Sequence, residues 1–336
     1  MLSCGGAAKP TITPVVIPEQ ASPPHAAALD GGAARATDAT PHAMPPGSDG
    51  PGDAVGMIGE AGSIFPADAT TVVLVNTAAM RAHPLGTRAM HLLNIVLVGW
   101  DLFMPVDLVP PVRDLEWVLL GGTLVLGSTR SAVFLSRYNV SEAQADAVSA
   151  ELTKRLSGKT TKLGVPSASS FAAIVDGVDR AYVRPQPGVL AIVPSADGKR
   201  VAELLVKADI PGAVRPRELA RMSWPRAARA PLPIPRSVKS LRIWINGSTN
   251  DELTVAAEGE CSDRATALEA VDDLRARLRD RATGFARTML RSFIDDAAIW
   301  ADGATVRYEA KLPAALLDAF TAFACMRTTG KPDCPP

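Results

Sequence analysis

A chain of 336 residues with 47% hydrophobic content carries enough apolar side chain for a sizeable core. Lys and Arg total 35 and so do Asp and Glu, so zero formal charge gives no whole-chain attraction to nucleic acid or an anionic membrane. The balance is uneven: in residues 1–60 Lys9 and Arg35 face six acids, net −4, which leaves +4 for the rest.

Residues 1–60 hold no Phe, Trp or Tyr, and 18 of them are Gly or Pro. Such a stretch buries too little apolar surface to offset its ordering entropy, so it is predicted to be a disordered tether, extended locally at Pro23-Pro24 and Pro45-Pro46. Its first residues, Met1-Leu2-Ser3-Cys4-Gly5-Gly6, resemble the end of a bacterial lipoprotein signal peptide, where a small residue precedes the Cys that becomes the lipidated N-terminus. Leu2, Ser3, Cys4 and the linker composition carry the resemblance; the basic and apolar regions of such a signal are missing, so translation is expected to start upstream of Met1. The resemblance implies lipid on Cys4, a membrane-held body, and, with Gly5 in place of Asp, a place at the outer membrane or facing the periplasm.

Ile64-Phe65-Pro66 marks entry into a folded body, and Thr70 to Val75 reads as a buried strand. Thr77 to Leu97 is helix-like, interrupted at His83-Pro84. The apolar run Leu92 to Val98 is far below the ~20 residues of a membrane span and reads as a core helix. Met104 to Pro111 is a connector. Leu115 to Leu120 and Ala132 to Leu135 are strands, and Ser141-Glu142-Ala143-Gln144 fits a capping box opening a helix with Ala145, Val148, Leu152 and Leu156 on one face. Asp176-Gly177 predicts a two-residue turn pairing Val175 with Val178 and Phe171 with Tyr182. Val189 to Val193 adds a strand, and Ser195 or Asp197 is placed to cap a helix through Leu205.

Residues 211–236 are rich in Pro and hold six Arg. They read as an irregular connector; the sharper alternative is a basic strip of Arg215, Arg217, Arg221, Arg226, Arg229 and Arg236 for an anionic partner. Leu241, Ile243 and Ile245 then alternate toward a turn near Asn246-Gly247, with Ser248 to Glu252 as a longer form of it, Leu253 to Ala257 return, and Ser262 or Asp263 caps a helix with Ala265, Leu268, Val271, Leu274 and Leu278 inward. Phe285 to Phe293 is a second amphipathic helix. A last hairpin turns at Asp302-Gly303, setting Trp300 opposite Thr305, and Pro313 opens a helix with Leu316, Leu317, Phe320 and Phe323. The fold class expected is α+β: antiparallel sheets from repeated strand–strand–helix units, helices on one face. The divisions are 1–60 tether, 61–210 first half, 211–236 connector and 237–336 second half.

No motif of catalysis or metal binding is complete. Gly158-Lys159-Thr160 lacks the earlier Gly of a phosphate loop and follows a helix, not a strand. His83 and His91 are separated by eight positions and a Pro, which gives no metal pair, and no cofactor is expected. Asp272-Asp273 and Asp295-Asp296 are neighbours whose side chains diverge. Trp117, Trp244 and Trp300 sit on strands and form either a stacking face or core packing. Cys325 and Cys334 are spaced to close a C-terminal disulfide in an oxidising envelope, leaving Cys261 as a thiol. The resulting expectation is a non-enzymatic, lipid-anchored binding or structural module, its partners a membrane through the lipid and an envelope protein or cell-wall polymer. The alternative is an envelope hydrolase with scattered acidic residues.

Overall fold

Five consecutive buried residues, Thr71–Val75, form β1 in the middle of a twelve-stranded antiparallel sheet. The computed structural model describes residues 54–66, 69–96, 107–122, 132–212, 217–230, 232–249, 252–281 and 294–329. The other strands are β2 (Leu115–Gly122), β3 (Val133–Tyr138), β4 (Lys159–Thr160), β5 (Ser169–Val175), β6 (Val178–Arg184), β7 (Val189–Pro194), β8 (Glu218–Trp224), β9 (Ser240–Thr249), β10 (Glu252–Glu260), β11 (Ala298–Asp302) and β12 (Thr305–Pro313). Their order across the sheet is β11-β12-β10-β9-β8-β1-β2-β3-β7-β6-β5-β4. Each half lays down three strands in sequence and passes through a helix; the first then returns by the meander β4–β7, whose last strand pairs with β3, and the second by the hairpin β11–β12, whose last strand pairs with β10. The halves meet where β1 pairs with β8, Val73 opposite Met222.

The helices are α1 (Ala54–Ile58), continuing into a 3-10 turn (Gly59–Ile64), α2 (Thr77–Ala82), α3 (Gly86–Val96), α4 (Pro111–Asp114), α5 (Glu142–Arg155), α6 (Gly198–Leu205), α7 (Arg264–Arg281) and α8 (Ala314–Thr329). They cover both faces of the first half, where one face was expected. Val73, Val75, Val118 and Leu120 pack with Met80, Leu93, Leu152 and Leu317 on one side, while Val72, Leu74, Trp117 and Leu119 pack with Ile58 and Leu205 on the other. The reason lies in the strands: β1 and β2 are apolar at nearly every position, so neither face tolerates water. Over β8–β12 the first face packs against Val271 of α7. The second face there carries alternating charge. α1 also lies inside the stretch expected as tether, with Ala54 and Ile58 buried; positions 1–53 lie outside the described residues.

The turn signatures act differently at three places. Asp176 and Gly177 both have positive φ, 51° and 70°, and Val175 faces Val178, as a type I′ turn demands. In the last hairpin the two-residue loop is Gly303-Ala304, one position later than expected, because Asp302 pairs with Thr305 and Gly303 alone takes positive φ. Trp300 therefore faces Arg307, not Thr305. Asn246-Gly247 itself lies inside β9, and the chain reverses between Thr249 and Glu252, within the longer stretch Ser248 to Glu252. β9 runs on to Thr249, and Gly247 is required because a Cβ there would lie 2.7 Å from the His83 ring.

Residues 211–236 hold β8 at the sheet's centre, which corrects the expectation of an irregular connector throughout. Flanking Pro residues mask it in the sequence, but Ala220, Met222 and Trp224 alternate in register with Ile245, Ile243 and Leu241. Along α7 the inward residues are Ala267, Ala270, Val271, Leu274 and Leu278, while Leu268 is 52% exposed. Small alanines let the helix approach the sheet and rotate it away from the leucine-based expectation. The expected helix Phe285 to Phe293 lies outside the described residues.

α5 starts as its sequence predicts. The Gln144 amide N–H donates to Ser141 Oγ at 3.3 Å, and the Ser141 N–H donates to Gln144 Oε1 at 3.1 Å. Ser141→Ala is expected to cost ~1 kcal/mol in chemical denaturation, with an unchanged slope against denaturant. For α7 the cap is Asp263, which accepts from the Thr266 N–H at 2.8 Å; that hydrogen bond holds its carboxyl below the usual range. Neither Ser195 nor Asp197 caps α6 by a side-chain bond.

Candidate binding clefts

A cleft lies beneath α5 and another beneath α7. Under α7 it is a cavity of about 200 Å³. Leu241, Ile243, Val255 and Ala257 supply the sheet side, Leu274 and Leu278 the helix side, and Leu232–Pro235 a third wall. Among the described lining residues only Tyr308 has a polar side-chain atom, and burial holds its phenol well above the ordinary value, so it is neutral near pH 7. Leu232 is 42% exposed and places apolar surface beside solvent at this wall. Walls of this kind hold a ligand through area removed from water, not through directed bonds.

The cleft under α5 has a different chemistry. Asp146, Ser149 and Thr153 of the helix face Thr160, Ser169 and Ser170 of the sheet across about 200 Å³. Phe171 and Tyr182, stacked with centroids 4.4 Å apart, contribute its apolar floor. Arg184 bonds Asp146 and Glu142, each at 2.5 Å, and its Nε donates to Tyr138 Oη at 3.2 Å. These partners raise the already high guanidinium pKa despite burial, so Arg184 is a fixed cation. A narrower apolar recess of about 40 Å³, reaching Ser136 and buried Asp114, shares Ser149, Arg184 and Leu190 with this cleft.

The residues singled out in the sequence do not gather into either cleft. Trp117, Trp244 and Trp300 project from the second sheet face, but on β2, β9 and β11, with three strand steps between successive members. Trp117 is fully buried and donates its indole N–H to the Pro211 carbonyl at 2.9 Å. Trp244 is 6% exposed and only Trp300 is half-buried, so core packing accounts for the first two. Of the six Arg, Arg217, Arg226, Arg229 and Arg236 are exposed, Arg215 lies outside the described residues, and Arg221 is buried in β8. Cys325 is buried and disulfide-bonded, with its partner outside the described residues, as are Cys334 and Cys4. Cys261 is free, and burial pushes its thiol pKa up.

A network that sequence reading missed spreads over the second face of β8–β12. Glu218 holds Arg221 bidentately at 2.9 and 2.8 Å. Glu258, 5% exposed, accepts from Arg307 at 2.6 Å and pairs with Arg242 at 3.3 Å, and Arg242 reaches Glu260 as well. The Trp244 ring lies near both Arg221 and Arg242, whose guanidinium carbons are 5.8 and 5.9 Å from its centroid. The signal was present as alternation, Arg242-Ile243-Trp244 against Ala256-Ala257-Glu258, but it needed the register to be seen as pairs.

Among the described residues no three His, Cys, Asp or Glu are grouped to hold a metal ion, and no helix is long and apolar enough to cross a membrane. Compared with protein families, with curated proteins and with solved structures, the chain matches none.

Proposed function

We propose that the protein is a non-enzymatic binding module, held at the cell envelope by lipid on Cys4, whose second half takes one aliphatic chain in the cavity beneath α7. The observation that carries the chain-binding reading is the lining of that cavity: aliphatic side chains on three sides, one neutral phenol, no charge among the described residues. General acid–base or nucleophilic catalysis needs a polar group at the reacting atom, and these walls favour retention over reaction. The Leu2-Ser3-Cys4 signature and the aromatic-free stretch after it support the anchor. The four strand–strand–helix passages are read as one unit reused, the third having opened a space that its helix leaves unfilled.

Each buried methylene contributes ~0.8 kcal/mol, so affinity for n-alkyl alcohols is expected to rise roughly fourfold per carbon until the cavity is full. Displacement of a bound fluorescent naphthylamine by an alcohol series measures this. Ala257→Phe, which adds bulk inside the cavity, should bring the plateau to shorter chains without lowering the melting temperature. An affinity that is flat with chain length, or a plateau that Ala257→Phe leaves in place, disproves the site. The anchor is tested separately, by membrane partitioning of the protein expressed with its upstream codons against the Cys4→Ala form; equal solubility of both removes it.

A further inference from the structure

We propose that the cleft between α5 and strands β4–β7 is a second binding site, for a neutral polyhydroxylated molecule of monosaccharide size. The cleft exists because of how α5 distributes its side chains. Ala145, Val148 and Leu152 form the stripe that meets the core, as an amphipathic helix should. The adjacent stripe, 146, 149, 150 and 153, is also spaced to share a face, yet it carries Asp, Ser, Ala and Thr. Ser149 and Ala150 are too short to reach the sheet below, so the helix bridges a gap instead of closing it.

The groups around this gap match hydroxyls. Ser170 and Thr161 satisfy each other at 2.9 Å, and Thr153 donates to the Ser149 carbonyl at 2.7 Å. Among the described residues no protein group bonds the hydroxyls of Ser149, Thr160 and Ser169, which border the space from both the helix and the sheet, Thr160 and Ser169 at positions open to solvent. A hydroxyl both donates and accepts, and a ligand made of hydroxyls meets that requirement whichever way each proton turns. Phe171 and Tyr182, 7% and 1% exposed, close the bottom of the cleft with little ring surface of their own showing, and a few placed polar groups above an apolar base are the usual make-up of a small-molecule site. About 200 Å³ is below the ~300–1,000 Å³ typical of drug-sized ligands, which suits one ring.

Charge narrows the class. The one cation at the cleft, Arg184, is already bonded to both Asp146 and Glu142, so the local balance is one positive against two negative. Asp146 is 73% exposed at its side chain and stands toward solvent. A phosphate, sulfate or carboxylate would meet excess negative charge and find no unpaired cation among the lining residues.

The test is saturation-transfer NMR on the full chain with D-glucose and N-acetyl-D-glucosamine as probes and sodium phosphate as the anionic comparison. Transfer to the ring protons of a saccharide is expected, and at least a tenfold weaker affinity in Ser149→Leu or in Ser169→Leu. The first variant fills the gap from the helix and the second from the strand. Neither hydroxyl makes an internal bond, so far-UV dichroism and melting temperature should stay at the wild-type values. No transfer to either saccharide overturns the proposal, as does transfer undiminished in both variants or binding of phosphate alone.

Discussion

Arg221→Ala is expected to lower the unfolding free energy by ~3–5 kcal/mol, because it removes the two charge-assisted hydrogen bonds that offset the burial of the Glu218 carboxylate. Arg221 and Glu218 are exposed by only 8% and 5% at their side chains, and two parallel hydrogen bonds join them. The pair itself is a weaker source of stability than its rupture suggests, since both ions were taken out of water to make it. Arg221→Met with Glu218→Leu should therefore recover most of the loss. Urea denaturation of Arg221→Met, Glu218→Leu and the double variant forms the necessary cycle. A double variant as unstable as Arg221→Ala would mean that the loss comes from packing around Trp244, not from the lost bonds to the buried carboxylate.

Trp117→Ala should be of similar size, ~3–5 kcal/mol, for a different reason: it empties the largest fully buried side chain in the core. Trp117→Phe separates the two contributions. It keeps much of the apolar volume but deprives the Pro211 carbonyl of its donor, a loss of ~1–3 kcal/mol. Calorimetry of the three proteins distinguishes a packing residue from a ligand platform. If Trp117→Ala melts with the wild type, the burial of this ring has no energetic weight.

What could be read from the sequence was local. The capping box at Ser141 and the Asp176-Gly177 turn involve residues at most three positions apart, and their chemistry does not depend on the rest of the fold. Asn246-Gly247 failed because Gly247 answers to His83, more than a hundred positions away, and not to a turn. β8 was hidden between prolines, and its Arg221 passed for surface charge until Glu218 and Trp244 were placed beside it. The clefts were less accessible still. Neither cavity is spelled by a motif; each is the space left when a helix with short or outward-turned side chains settles over a sheet. Leu268 points outward and Ser149 inward, and only the packed structure decides both.

The pairing of β1 with β8 has a consequence for how the chain matures. Thr71–Val75 is complete early in synthesis, yet its partner along one edge, Glu218–Trp224, emerges only after more than a hundred further residues. At ribosomal rates of about 5–20 residues per second this delay lasts on the order of ten seconds. Throughout it, one side of an almost wholly aliphatic strand presents unpaired backbone groups, the situation in which neighbouring nascent chains join edge to edge. The two outer margins of the finished sheet carry no comparable hazard, being a two-residue strand at one side and a five-residue strand at the other. The vulnerable interval belongs to biogenesis, and a holdase that shields this single edge until β8 arrives would protect the whole molecule.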